Sequence, residues 1–249
     1  MKRSALVTGA SEGIGYAFAA RLAAEGYVVT GVARNEGNLK KLTGELGGEH
    51  SYIVADLTTT AGQDKIVKAI SERHFDLLVN NAGIAATGKF AEIPLKRHLE
   101  VLTLNCEAVV TLSHAYLNSA RAGDALINVS SALALMPMPL MGLYSATKAF
   151  VTSLSESLWY YQKKRGVYVM GLCPGITSTR FNEHSGAGSQ ETPKIMTQTP
   201  EELVDAAMKA LKRRKKPTVI SGAVNNVFAF ISRVRSRRGV INMMGQMVE

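Results

Sequence analysis

The feature that most constrains this chain is an alternation running through its first two thirds. Short apolar runs rich in β-branched residues are separated by longer segments of helical period. That pattern builds repeated βα units around a parallel sheet, because each strand must be followed by a crossover that returns the chain to the same edge. Strands are expected near residues 4–8, 27–32, 51–55, 75–79, 125–129, 167–172 and 217–221. Helices fill the intervals, among them about 60–72, 96–121, 144–164 and 201–213. The expected fold class is α/β, a doubly wound, seven-stranded parallel sheet in a three-layer αβα arrangement. At 249 residues, one domain accounts for the length. The Gly/Ser-rich stretch at 184–193 reads as an insertion within that domain.

Charge raises a separate question. Lys and Arg total 29 against 20 Asp and Glu, a net +9, and residues 201–249 alone hold ten basic and four acidic side chains. Two cysteines, Cys106 and Cys173, cannot make a disulfide framework and fit a reducing compartment. The opening Met1-Lys2-Arg3-Ser4 runs straight into a strand, without the apolar segment of a secretory signal. The longest uncharged stretch, 125–147, carries Asn128, Ser130, Ser131, Pro137 and Pro139 and is a poor membrane span. A cytoplasmic protein is expected.

Gly9, Gly13 and Gly15 fall in the turn between the first strand and the first helix. There the helix N-terminus offers unpaired N–H groups to a phosphate, and glycines let a pyrophosphate come close. Their G-x-x-x-G-x-G spacing differs from the G-x-G-x-x-G fingerprint. The second strand ends at Ala33 and Arg34, where dinucleotide folds often carry a ribose-binding acid. A guanidinium there suits a 2′-phosphate, which a carboxylate would repel, and this argues for NADP(H) over NAD(H). Otherwise Arg34 is a solvated charge.

Tyr144 and Lys148 are four apart in a helical segment, so both lie on one face. A tyrosine with a pKa near 10 exchanges its proton poorly at neutral pH, and a neighbouring ammonium favours the phenolate. Ser130 and Ser131 end the fifth strand, and Asn80-Asn81-Ala82-Gly83 follow the fourth. All sit at carboxyl ends of strands, where ligands collect in parallel sheets.

With these motifs in order, the sequence resembles the short-chain dehydrogenase/reductase family to about residue 221. "TGASEGIG" is similar to its TGxxxGxG turn, "NNAG" at 80–83 to its sheet-stabilising motif, "YSATK" at 144–148 to its YxxxK, and "PG" at 174–175 to its cofactor-side turn. The resemblance implies a Rossmann-like fold and hydride transfer between a nicotinamide cofactor and a carbonyl or secondary alcohol. It makes Tyr144 the general acid/base, with Lys148 lowering its pKa and holding the nicotinamide ribose. Ser131, thirteen residues before Tyr144, becomes the serine of the site, and Asn105 the residue holding a relay water. It further implies cofactor contacts from Gly9, Ser11, Gly13, Ile14, Gly15, Arg34, Asp56, Leu57, Asn81, Ala82, Gly83, Tyr144, Lys148, Pro174, Gly175, Thr177 and Thr179. Many NADP-preferring members carry a basic residue where this chain has Glu12, so the NADP(H) preference rests on Arg34. Homodimers or homotetramers through the helices at 96–121 and 144–164 are also implied.

Between Ser131 and Tyr144 the sequence "ALALMPMPLMGL" is rich in Leu and Met. Methionines fit irregular apolar shapes, so a hydrophobic ketone or alcohol is expected, unless these residues serve core or subunit packing. The stretch at about 182–200 is expected to act as a lid. Residues 222–249 form a C-terminal extension beyond the catalytic 1–221, with Val224, Val227, Phe228, Ile231 and Val234 at helical spacing and four arginines following. Such a basic amphipathic helix suits a peripheral membrane contact, an oligomer contact or a covering role.

Other classes fit less well. No helix-turn-helix, zinc finger or aromatic-studded basic sheet accompanies the charge, so no nucleic acid is expected. Five histidines lack ligand-like spacing, so no metal is expected, and a G-x-S-x-G elbow is missing. A non-catalytic NADP(H)-binding regulator or sensor of the same fold remains the alternative. It would keep the glycine turn without needing the Tyr, Lys and Ser.

Overall fold

A computed structural model describes residues 2–179, 181 and 197–246. Seven parallel strands form one sheet in the order β3-β2-β1-β4-β5-β6-β9, reversing direction of build beside β1 as a doubly wound sheet does. They are β1 (Ser4–Thr8), β2 (Val28–Ala33), β3 (Ser51–Val54), β4 (Leu77–Asn80), β5 (Ala125–Val129), β6 (Tyr168–Cys173) and β9 (Thr218–Ile220). Each lies within two residues of its expected position. A small second sheet pairs β7 (Ile176–Thr177) with β8 (Thr197–Gln198). Residues 182–196 of the expected lid lie outside the described residues.

One face of the sheet carries α1 (Gly13–Ala24), α2 (Glu36–Leu46) and α7 (Pro200–Arg213). Phe18, Leu22, Leu39, Leu42, Leu203 and Met208 bury that face with Val29, Val79 and Met170. The other face carries α3 (Thr60–Glu72) and α5 (Ala108–Ser119), through Ile66, Ile70, Leu112 and Tyr116. The central strands β4, β5 and β6 are buried along their whole length, which is why they read as unbroken apolar runs rather than alternations. Local chemistry sets the helix starts. Thr199 and Glu202 form a reciprocal capping box at α7, with Pro200 in the first turn, while Asn35 caps α2 and Thr59 caps α3.

The helix expected over 96–121 is interrupted. It consists of α4 (Leu95–Leu102), a π turn over Thr103–Glu107 and α5. The amide of Ala108 reaches back five residues to the Thr103 carbonyl. Such turns carry no hydrophobic-period signature and often sit at functional sites. α6 (Gly142–Gln162) starts two residues earlier than expected and packs along β6.

The C-terminal segment folds as two helices, α8 (Ala223–Val234) and α9 (Arg237–Gln246). They pack onto the body rather than standing apart: Val240 and Met244 are buried against Met136, with Leu133, Leu135, Met138, Phe228 and Met243 around them.

At the amino edge of the sheet, folding gathers what spacing kept apart. His74 lies 3.3 Å from Asp124 and 4.0 Å from Asp76. Asp76 also accepts the Ser4 amide and Asp124 the Arg121 amide, so the group ties together the starts of β1, β4 and β5.

Candidate active site

The carboxyl edge of the sheet holds every motif singled out above. In the glycine turn, Gly9 and Gly13 both take left-handed backbone (φ 67° and 56°), which side chains resist. Gly15 is fixed by space: a Cβ there would land on the Gly9 carbonyl oxygen. α1 then begins with no side-chain cap hydrogen bond, leaving first-turn amides to an outside acceptor.

The turn is held from β4. Asn81 Nδ2 donates to the Thr8 carbonyl at 2.9 Å and to the Gly9 carbonyl at 3.3 Å, while Thr8 Oγ1 accepts the Asn81 and Ala82 amides at 2.9 and 3.0 Å. Asn81 is thus a brace beneath the turn, its amide committed to backbone. Thr8 shares the task, and only its place in the strand-end "VTGA" hinted at that. Thr179 packs over Gly13, its methyl 3.1 Å from where a Cβ would stand. Ser11 and Ile14 are half-buried within the turn.

Around this turn, Arg34 is exposed just past β2 and has no ion pair among the described residues. Asp56 Oδ1 accepts the Thr58 amide and hydroxyl at 2.9 and 2.7 Å, and the buried Leu57 offers its carbonyl to Gln63. Pro174 is tied to the serine segment, its carbonyl accepting the Ala132 amide at 2.7 Å. Gly175 leaves space that Asn225 of α8 fills so closely that a Cβ would overlap its amide. Thr177 donates to the Gly175 carbonyl at 3.1 Å.

Tyr144 and Lys148 project together from the first turns of α6, and both are buried. The lysine Nζ stands 5.7 Å from the tyrosine ring centre and donates to the Val129 carbonyl at 2.8 Å. Ser131 caps the short turn after β5, accepting the Leu133 amide at 3.1 Å, and its side chain acts on the Tyr144 hydroxyl, pulling its pKa down. Its neighbour Ser130 is committed elsewhere: its hydroxyl donates to the Lys148 carbonyl at 2.7 Å and lies 2.7 Å from Thr152 Oγ1.

Burial dominates the electrostatics. It pushes the Tyr144 hydroxyl up to about 12, against the Ser131 hydrogen bond, which pulls it down. Lys148 moves the other way, down to about 8, because burial disfavours its ammonium. Desolvation outweighs the opposing pull, and Ser131 is the group that opposes it. A phenol that holds its proton at neutral pH is equipped to donate it.

Asn105 lies in the π turn, fully buried. Its side chain exchanges two hydrogen bonds with the Ile84 backbone, 3.0 Å in and 2.9 Å out, and donates to Thr147 Oγ1 at 3.1 Å. Thr147 in turn donates to the Tyr144 carbonyl at 2.8 Å. The amide is a strut joining the loop after Gly83 to α6. Phe181, given no role by the sequence, sets its ring 5.6 Å from that of Tyr144.

A model of the short chain dehydrogenase family matches residues 3–190. The chain belongs to this family. Among similar proteins, a 7beta-hydroxysteroid dehydrogenase of Mediterraneibacter gnavus is 32% identical over 228 residues, covering 88% of this chain and 86% of the relative. A solved structure concerned with 7beta-hydroxysteroid dehydrogenase stereoselectivity superposes with a TM-score of 0.88, 27% identity, and coverage of 98% and 96% of the two chains. A short-chain dehydrogenase from Sphingobium yanoikuyae in complex with NADPH gives a TM-score of 0.83, with 29% identity and coverage of 96% and 95%.

This short-chain dehydrogenase is therefore an oxidoreductase of hydroxyl and keto groups that uses a nicotinamide cofactor. The sensor alternative is not favoured. The residues present fit the cofactor: α1 amides with no side-chain cap, no room for a side chain where Gly15 meets the Gly9 carbonyl, and a cation at the end of β2.

Proposed function

We propose that the enzyme reduces a hydrophobic ketone to a secondary alcohol with NADPH, and runs the reverse with NADP+, Tyr144 being the general acid/base. The observation that carries this reading is the buried Ser131–Tyr144–Lys148 group lying beside the methionine-rich 132–141 segment. When bound, the nicotinamide supplies the hydride for the carbonyl carbon. Tyr144 passes its proton to the carbonyl oxygen, and Ser131 donates a hydrogen bond as charge grows there. Lys148, with two N–H bonds beyond the one to Val129, holds the ribose and, as an ammonium, compensates negative charge left on Tyr144. Asn105 spends its side chain on Ile84 and Thr147, so a relay water would hang on the backbone of the π turn.

Arg34 supports the preference for NADPH over NADH, since nothing described neutralises it and a 2′-phosphate would. Gly9, Ser11, Gly13, Ile14 and Gly15 would hold the pyrophosphate. Asp56, Leu57, Ala82 and Gly83 would border the adenosine and its ribose, and Pro174, Gly175, Thr177 and Thr179 the nicotinamide. The relative named for a hydroxysteroid supports a bulky, apolar substrate, as does the cluster of Met136, Met138 and Phe228. Leu95, Leu99 and Leu102 form an exposed stripe on α4, and Phe150 is exposed on α6, which supports a dimer or tetramer across these helices. Two free thiols suit a cytoplasmic setting. The test is Tyr144→Phe: ketone reduction falls by about 10²- to 10⁴-fold while NADPH fluorescence still reports binding. Wild-type turnover in that variant overturns the reading.

A further inference from the structure

We propose that the α8–α9 pair is a docking surface for an anionic lipid bilayer. Val227, Phe230 and Val234 would enter the interfacial region, and Arg233, Arg235, Arg237 and Arg238 would meet the headgroups.

The two sides of this helix pair differ sharply. Its inner side is committed: Ala229, Val240 and Met244 are buried, Phe228 joins the Met136 cluster, and Asn225 fills the space above Gly175. The outer side of α8 has no such cover. Val227, Phe230 and Val234, spaced three and four apart on one stripe, are 57%, 65% and 66% exposed, and Ile241 of α9 is 43% exposed. The stripe adjoins four exposed arginines, and residues 222–246 contain no Asp or Glu. Among the described residues none of the four pairs with a carboxylate. Arg235 reaches only the Met243 sulfur, at 3.9 Å.

Charge and hydropathy together select the occupant. A second copy meeting this face across a two-fold axis would set arginines against arginines, with no acid between residues 222 and 246 to relieve them. A nucleic acid would satisfy the arginines and leave the Phe230 stripe in water. An anionic bilayer satisfies both, because apolar side chains enter the acyl boundary while cations stay among phosphates and carboxylates. At twelve residues, about 18 Å long, α8 can lie in the interface but not cross it. No helix among the described residues is long and apolar enough to span a membrane. One consequence rests on the hydrophobic-ketone reading: docking would bring the methionine wall up to the phase in which such a ketone dissolves.

The test is co-sedimentation of the full-length enzyme with phosphatidylcholine vesicles, with and without phosphatidylserine. Phe230→Asp and the double change Arg233→Glu/Arg235→Glu serve as comparisons. The wild type is expected to pellet with anionic vesicles only, and less so as salt rises. Each variant is expected to partition about tenfold or more weakly, since each interfacial arginine contributes several-fold. Their NADPH binding, melting temperature and solution mass should stay unchanged. Equal pelleting with neutral vesicles, no pelleting at all, or variants that pellet like the wild type would overturn the proposal. So would a fall in solution mass on Phe230→Asp, which would assign the face to a second copy. Ketone turnover in the same preparations reads the catalytic proposal independently: lost pelleting with intact turnover removes only the docking.

Discussion

The carboxyl edge of the sheet is built in two ways. From β1 to β3 it is made of backbone: left-handed glycines, uncapped amides at α1, and a brace from Asn81 and Thr8. From Ser131 to α9 it is made of side chains drawn from segments a hundred residues apart, Met136 meeting Val240 and Met244. The first half leaves little freedom, since most of its atoms are main chain at fixed spacing, and it suits a ligand that never changes. The second is a packed apolar surface that tolerates exchange of one side chain for another, and it suits selection among substrates. Tyr144 and Lys148 stand at the seam.

The sharpest way to break this division is Gly15→Ala. Its Cβ overlaps the Gly9 carbonyl, so NADPH affinity should fall by about 100-fold or more, the equivalent of about 3 kcal/mol of displaced backbone. Retained affinity in a fluorescence titration would mean that the turn is not the cofactor seat. Next comes Arg34→Ala. Losing a charge-assisted contact to a 2′-phosphate should raise the KM for NADPH by about 10- to 100-fold and leave that for NADH nearly unchanged. Equal effects on both would remove the NADP(H) preference.

A pH profile probes the seam. On the proposed mechanism, reduction needs the Tyr144 phenol, which persists to about 12, and the Lys148 ammonium, which is lost above about 8. Turnover should therefore decline by up to about tenfold per unit as pH rises beyond about 8. The same shift fixes a stability trend. The unfolded chain binds this proton more tightly, so folding gains stability from pH 8 to 10.5, and Lys148→Met should remove that gain relative to wild type. A flat difference between the two melting curves would contradict the burial argument.

The mildest change is Met244→Ala. A cavity in the apolar half should cost about 2 kcal/mol, or about 4–8 °C in melting temperature, and weaken long-chain ketones a few-fold. NADPH binding should not move; if it does, the two halves are not separable.

The same contrast explains what could be read in advance. Strand positions, the glycine turn and the Tyr144–Lys148 pair are local: they rest on periodicity or on a fixed spacing within one element. The thirteen-residue spacing behind the choice of Ser131 over Ser130 is local too, and in the structure Ser130 spends its hydroxyl on Lys148 and Thr152 while Ser131 accepts the Leu133 amide. Thr8, Thr147, Phe181 and Asn225 were not legible, since each acts through a contact with a distant segment. The π turn at Asn105 is a one-residue irregularity inside a good helical pattern. The burial that dominates the Tyr144 shift was not legible, because spacing reports the nearby ammonium and not desolvation. The tail's helical period was visible, but not that half of it completes an apolar cluster beside the site.

The most direct test is NADPH oxidation by wild-type enzyme and Tyr144→Phe across ketones of increasing chain length and ring size. The account predicts that kcat/KM climbs with apolar bulk in the wild type and collapses for every ketone in the variant. Best turnover on small polar carbonyls, or a variant as fast as the wild type, would contradict it.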